Sequence, residues 1–109
     1  MNVSKENRDL AIRIAEHYGL ENQISIAQEE CAELVQALSK LRRYTPGPDS
    51  PLDVKLKYSE ARVSVAEEMA DVINMITQLL HLMHNEHMVE FWLHHKLGRK
   101  IRDIEKETA

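Results

Sequence analysis

At 109 residues, 43% hydrophobic and 29% charged, the chain is sized for one domain with its own core and is too apolar for a disordered polyelectrolyte. Eighteen acidic against fourteen basic residues leave a formal charge of −4, which argues against duplex nucleic acid as the main partner. Three Gly and three Pro are too few for a turn-rich β-sandwich, and no apolar run approaches a membrane span.

The N-terminal "MNVSKENRDL" is polar and lacks the apolar core of a signal peptide. The single Cys31 precludes an intramolecular disulfide and fits a reducing, cytoplasmic compartment. A first helix is predicted from about Ser4, a good N-cap, to Tyr18, with Gly19 as the residue that ends it. A second runs from about Asn22 to Arg43. Its apolar positions Ile24, Ala27, Cys31, Leu34, Leu38 and Leu41 alternate spacings of three and four. Cys31 lies on that stripe, so a buried thiol is expected rather than a nucleophile.

The next stretch, "YTPGPDSPLD", is predicted to be a loop because it holds all three prolines and a glycine. A third helix is expected to start between Ser59 and Ser64 and end near His84. Residues 44–58 therefore read as an inserted loop within a single 1–109 domain. Val65, Met69, Val72, Ile76, Leu79, Leu80 and Met83 form the third stripe. A short turn at Asn85 leads to a fourth helix, about Glu86 to Glu105, with Val89, Leu93, Leu97, Ile101 and Ile104 on one face and Gly98 inside it. The expected fold class is all-α, a four-helix bundle-like protomer.

Two of these helices carry the same segment. "EECAELVQAL" starts at Glu29 and "EEMADVINMI" at Glu67, an offset of 67 − 29 = 38. On a helical wheel Glu30 falls inside the apolar arc of its helix, and Glu33, at about 300° from it, sits at the edge. Glu68 and Asp71 repeat that placement. Glu29 and Glu67 fall outside. Ionised carboxylates in a buried stripe are costly unless they protonate, pair with Lys or Arg, or bind a metal. Too few basic residues share the stripes to pair all four; Lys40, seven after Glu33, reaches only the flank. Hard oxygen ligands from two helices suit Mg²⁺ or Mn²⁺.

With Glu-Glu-x-x-Glu on one helix and Glu-x-x-Asp on the next, the chain resembles the MazG-like nucleotide pyrophosphohydrolases. These belong to the all-α NTP pyrophosphatase superfamily, with the dimeric dUTPases and dCTP pyrophosphatases. The resemblance spans roughly the first helix to the fourth. It implies a homodimer or homotetramer with sites near the protomer interface. It also implies Mg²⁺-dependent hydrolysis of a nucleoside triphosphate to the monophosphate and pyrophosphate. By motif match Glu30, Glu33, Glu68 and Asp71 would be the metal ligands, and Glu29 and Glu67 candidates for the base. Three departures stand out: a longer connection between the motifs, Gln78 where some members carry Asn, and a last helix with Lys96, Arg99 and Lys100 but no Asn.

An anionic substrate also needs cations, for which Lys40, Lys96 and Arg99 are the candidates. Gln78 is a further candidate for substrate contact; Gln23, Tyr18 and Asn74 are candidates for contacting the nucleobase. No Gly-x-x-x-x-Gly-Lys loop is present, which excludes a P-loop reading. His81, His84 and His87 fall outside the apolar arc and read as surface or interface groups; Phe91 and Trp92 read as core or interface. Two alternatives use the same helices: a non-catalytic interaction module, and a ferritin-like di-metal bundle, which would need Glu-x-x-His.

Overall fold

The computed structural model describes residues 3–108. Four α-helices make up almost all of it: α1 Lys5–Tyr18, α2 Leu20–Tyr44, α3 Leu52–Met83 and α4 Glu86–Thr108. The all-α expectation holds. Ser4 caps α1, its Oγ accepting the Asn7 backbone N–H at 3.1 Å. Gly19 alone joins α1 to α2. Its φ of +84° and ψ of 164° lie in a region essentially reserved for glycine. Its N–H donates to the Ala15 carbonyl at 2.8 Å, and its own carbonyl accepts the Gln23 N–H at 3.1 Å. One residue thus closes one helix and opens the next.

The connection between α2 and α3 is shorter than expected. It occupies only residues 45–51, and α3 begins at Leu52, well before the Ser59–Ser64 window. The prolines end at Pro51, which occupies the N-cap position with φ −60° and ψ 158°. No helix breaker follows it, and Asp53 in the first turn favours the positive end of the helix dipole. Residues 52–58, expected in the inserted loop, instead lengthen α3 to 32 residues. Ser50 and Gly47 tie the link: the Gly47 N–H donates to Ser50 Oγ at 2.8 Å, and the Ser50 N–H donates to the Gly47 carbonyl at 3.2 Å.

The most extensive packing is between α2 and α3, with α1 lying mainly against α3. Small residues form the seams: Ala11 and Ala15 of α1, Ala27 and Ala37 of α2, and Ala61 of α3 are buried, with Val65 and Met75. The alanines let helix backbones approach closely, at the expense of apolar side-chain volume in the core. Cys31 does not join that core. It is exposed, contrary to its place on the apolar stripe, because the α3 and α1 contacts fall on the Ala27–Ala37 side of α2.

Helix α4 lies outside the three-helix packing and has no buried residue. The face predicted from its sequence is present, but Val89, Leu93, Leu97, Ile101 and Ile104 are all exposed, as are Phe91 and Trp92. His84 makes the turn into α4 in the left-handed conformation, at φ 51°. Among the described residues no helix is long and apolar enough to cross a membrane.

Candidate metal centre

Antiparallel pairing of α2 and α3 brings the two repeated segments face to face. One carboxylate oxygen from each of Glu30, Glu33, Glu68 and Asp71 lies within 4.8 Å of all the others. This is the predicted set. Glu30 and Glu68 are half-buried, while Glu33 and Asp71 are exposed at the rim. The inner oxygens, Glu30 Oε2 and Glu68 Oε2, are buried and accept no hydrogen bond. A buried carboxylate oxygen without a donor is among the costlier features a fold retains.

The electrostatics follow from this geometry. Burial, then the charges of Asp71 and Glu33, raise the Glu30 carboxyl from its ordinary 4.5 to about 7. Burial, then the charges of Glu33 and Asp71, raise that of Glu68. Among the described residues no Lys, Arg or His side chain lies within ion-pair distance of the four; the ion pairs are Lys5–Asp9, Arg8–Glu86 and His81–Glu16. Pairing with basic residues within the protomer is thereby removed as an explanation. Protonation or a cation remains. The donor set is oxygen only, which suits a hard divalent ion. No histidine belongs to it, so the Glu-x-x-His arrangement of a di-iron bundle is not formed.

A raised carboxyl pKa sets the sign of a pH effect. Between the unfolded value of about 4.5 and the folded value of about 7, the folded chain holds more protons at Glu30 than the unfolded chain. This contribution to stability is full below the lower value and is lost as pH rises through the upper one. In EDTA, the wild-type melting temperature relative to that of Glu30→Gln is expected to fall between pH 5 and pH 8. Excess Mg²⁺ binds the deprotonated form and removes that fall. A difference that rises with pH in EDTA would contradict the assignment.

The other expected residues are dispersed. Glu29 and Glu67 are exposed and lie outside the converging set. Lys40 is exposed on α2, two turns beyond Glu33. Lys96 and Arg99 are exposed on α4, which has no extensive packing against α2 or α3, so the protomer fold does not bring them to the carboxylates. His81 binds Glu16 of α1 at 3.0 Å, away from the centre. Gln78 is not a surface contact group. It is 1% exposed and both halves of its amide are used: Oε1 accepts from Gln23 Nε2 at 2.7 Å, and Nε2 donates to Asn74 Oδ1 at 3.0 Å. Tyr18 is exposed on α1.

The buried Gln23–Gln78 bond is the feature that sequence reasoning missed. Its signal was present, because Gln23 lies only about 20° from Glu30 on the α2 wheel, inside the apolar arc. Compared with family models, curated proteins and solved structures, the chain matches none.

Proposed function

We propose that the chain is a Mg²⁺-dependent nucleoside triphosphate pyrophosphohydrolase, releasing a nucleoside monophosphate and pyrophosphate. One observation carries this reading: four carboxylates from two helices converge within 4.8 Å, and two of their oxygens are buried without a donor. The fold retains a repulsive cluster that lowers its own stability, as expected where function requires it. The sequence resemblance to MazG-like enzymes points to nucleotides as the substrate class.

Glu30, Glu33, Glu68 and Asp71 would hold Mg²⁺, with Mn²⁺ as a substitute. The ion would neutralise phosphate charge and activate water. The chain's own part is positional. Helices α2 and α3 fix the four carboxylates, and burial of the inner oxygens withholds water as a competing partner. The exposed Glu29 and Glu67 flank the centre and are the candidates to take a proton from the attacking water. Lys40 would contact phosphate from the α2 flank.

Lys96 and Arg99 would serve a site only in an assembly. We therefore take the active form to be a homodimer or homotetramer in the cytoplasm, with the uncovered apolar face of α4 as the reason for association. A panel of NTPs and dNTPs incubated with and without Mg²⁺ tests the function. Monophosphate plus pyrophosphate, formed only with the metal, is the expected result. Release of inorganic phosphate alone, or no turnover of any nucleotide, contradicts it.

A further inference from the structure

Two lines of residues on the α2–α3 hairpin are uncovered. Ile24, Cys31 and Leu38 of α2 recur every seven residues, and so do Met69, Ile76 and Met83 of α3. Cys31 is exposed, and the other five side chains are 40–49% exposed. A strict seven-residue apolar repeat is the seam along which helices supercoil, so each line is shaped for another helix rather than for water.

The two lines face the same way. Measured from Glu30 on α2, Cys31 and Leu38 lie at about 100° and 80°; measured from Glu68 on α3, Met69 and Ile76 lie at the same angles. Because the helices run antiparallel, equal rotation on both leads to one side of the pair. Glu33 and Asp71, at about 300° on their helices, lie towards the other side. The hairpin therefore has a carboxylate side and an apolar side.

Surface area indicates how large a cover is missing. The 12.6 kDa chain exposes 8905 Å², where a compact monomer of that mass exposes about 6,200 Å². Its radius of gyration, 17.9 Å, exceeds the roughly 13 Å of a compact chain of this length. The surplus of about 2,700 Å² is well above the ~800 Å² per partner of a standard interface and on the scale of obligate homodimers. Helix α4 holds part of that surplus, and the apolar side of the hairpin holds another part.

We propose that the apolar side of the α2–α3 hairpin is a two-fold interface with a second copy of this chain. Two hairpins packed on each other form an intermolecular four-helix bundle, with the seven-residue lines as its seam. The face suits its own copy: a two-fold axis sets the lines of one hairpin against those of the other, with no charged residue among them. Both carboxylate rims then open away from the interface. A second copy also covers Cys31, the thiol that the protomer leaves exposed on an apolar stripe. This interface extends the homo-oligomer proposed above and requires neither metal nor nucleotide.

The full-length protein is measured in EDTA without nucleotide. Light scattering is expected to give the mass of a dimer or a multiple of it. Cys31, the single thiol, reports on the face. With an aromatic disulfide reagent it is expected to react at least about tenfold more slowly in the native protein than in urea. Leu38→Glu places a charge where the protomer is 46% exposed, and is expected to release monomers with a reactive Cys31. Leu97→Glu, on α4, is expected to leave Cys31 protected. If Leu38→Glu unfolds instead, the wild-type mass and thiol rate decide alone. A wild-type monomer, a native Cys31 as reactive as in urea, or protection lost in Leu97→Glu and kept in Leu38→Glu overturns the proposal. Nucleotide hydrolysis by a protein with a freely reactive Cys31 rejects the interface and leaves the hydrolase. A dimer with protected Cys31 and no turnover keeps the interface and rejects the hydrolase.

Discussion

Glu68→Ala is expected to lower Mg²⁺-dependent pyrophosphate release by about 10²- to 10³-fold, the usual cost of removing one preorganised electrostatic group from a reacting centre. The same substitution is expected to raise the melting temperature of the metal-free protein. It removes a buried oxygen that accepts no hydrogen bond and one member of a like-charged cluster. Glu30→Ala should behave in the same way, for the same two reasons. Opposite effects on activity and stability separate a site held against its own repulsion from a glutamate that supports the fold. Pyrophosphate release and thermal melting in EDTA, measured on one preparation, give both readouts. Full activity in both variants would reject the centre; lowered stability in both would mean that the carboxylates are structural.

The second large effect concerns stability alone. Gln78→Met removes the acceptor of Gln23 Nε2 and the donor to Asn74 with little change of volume. It leaves the Gln23 amide buried without its partner. The expected destabilisation is about 2–3 kcal/mol, the cost of an orphaned buried polar group. Replacing both glutamines, Gln23→Met with Gln78→Met, removes the orphan along with its partner. The double variant is expected to recover most of the loss. Urea unfolding of the wild type, both single variants and the double variant measures the coupling. Simple addition of the two single losses would show that the buried bond does not couple them.

The carboxylate centre was legible in the sequence because it is doubled. A lone Glu30 in an apolar arc is ambiguous, but Glu68 repeats it 38 residues later, and the pairing of α2 with α3 follows from their shared periodicity. The caps of α1 were legible for a local reason: Ser4 and Gly19 act within four residues of themselves. The start of α3 was not. Prolines at 46, 48 and 51 dominate any local reading of that stretch, while the helix-forming run after Pro51 gains its stability from packing beside α2. Sequence periodicity also marks the apolar face of α4 without naming what covers it. Cys31 was misplaced because a stripe wide enough to include it is only partly covered by α1 and α3. The burial of Gln78 was not legible because its partner Gln23 lies 55 residues away.

The seven-residue link between α2 and α3, residues 45–51, bears on how the chain reaches this structure. Closing so short a loop costs little chain entropy, so the helical hairpin is the natural early event in folding. The strands of charge it must zip together belong to the carboxylate centre itself. Hairpin closure therefore works against four converging negative groups in every molecule, whether or not a substrate is ever met. Refolding should accelerate when Mg²⁺ is present from the start, and Glu68→Ala should refold quickly without it. Equal refolding rates with and without Mg²⁺ in the wild type would show that the carboxylates come together only after the rate-limiting step.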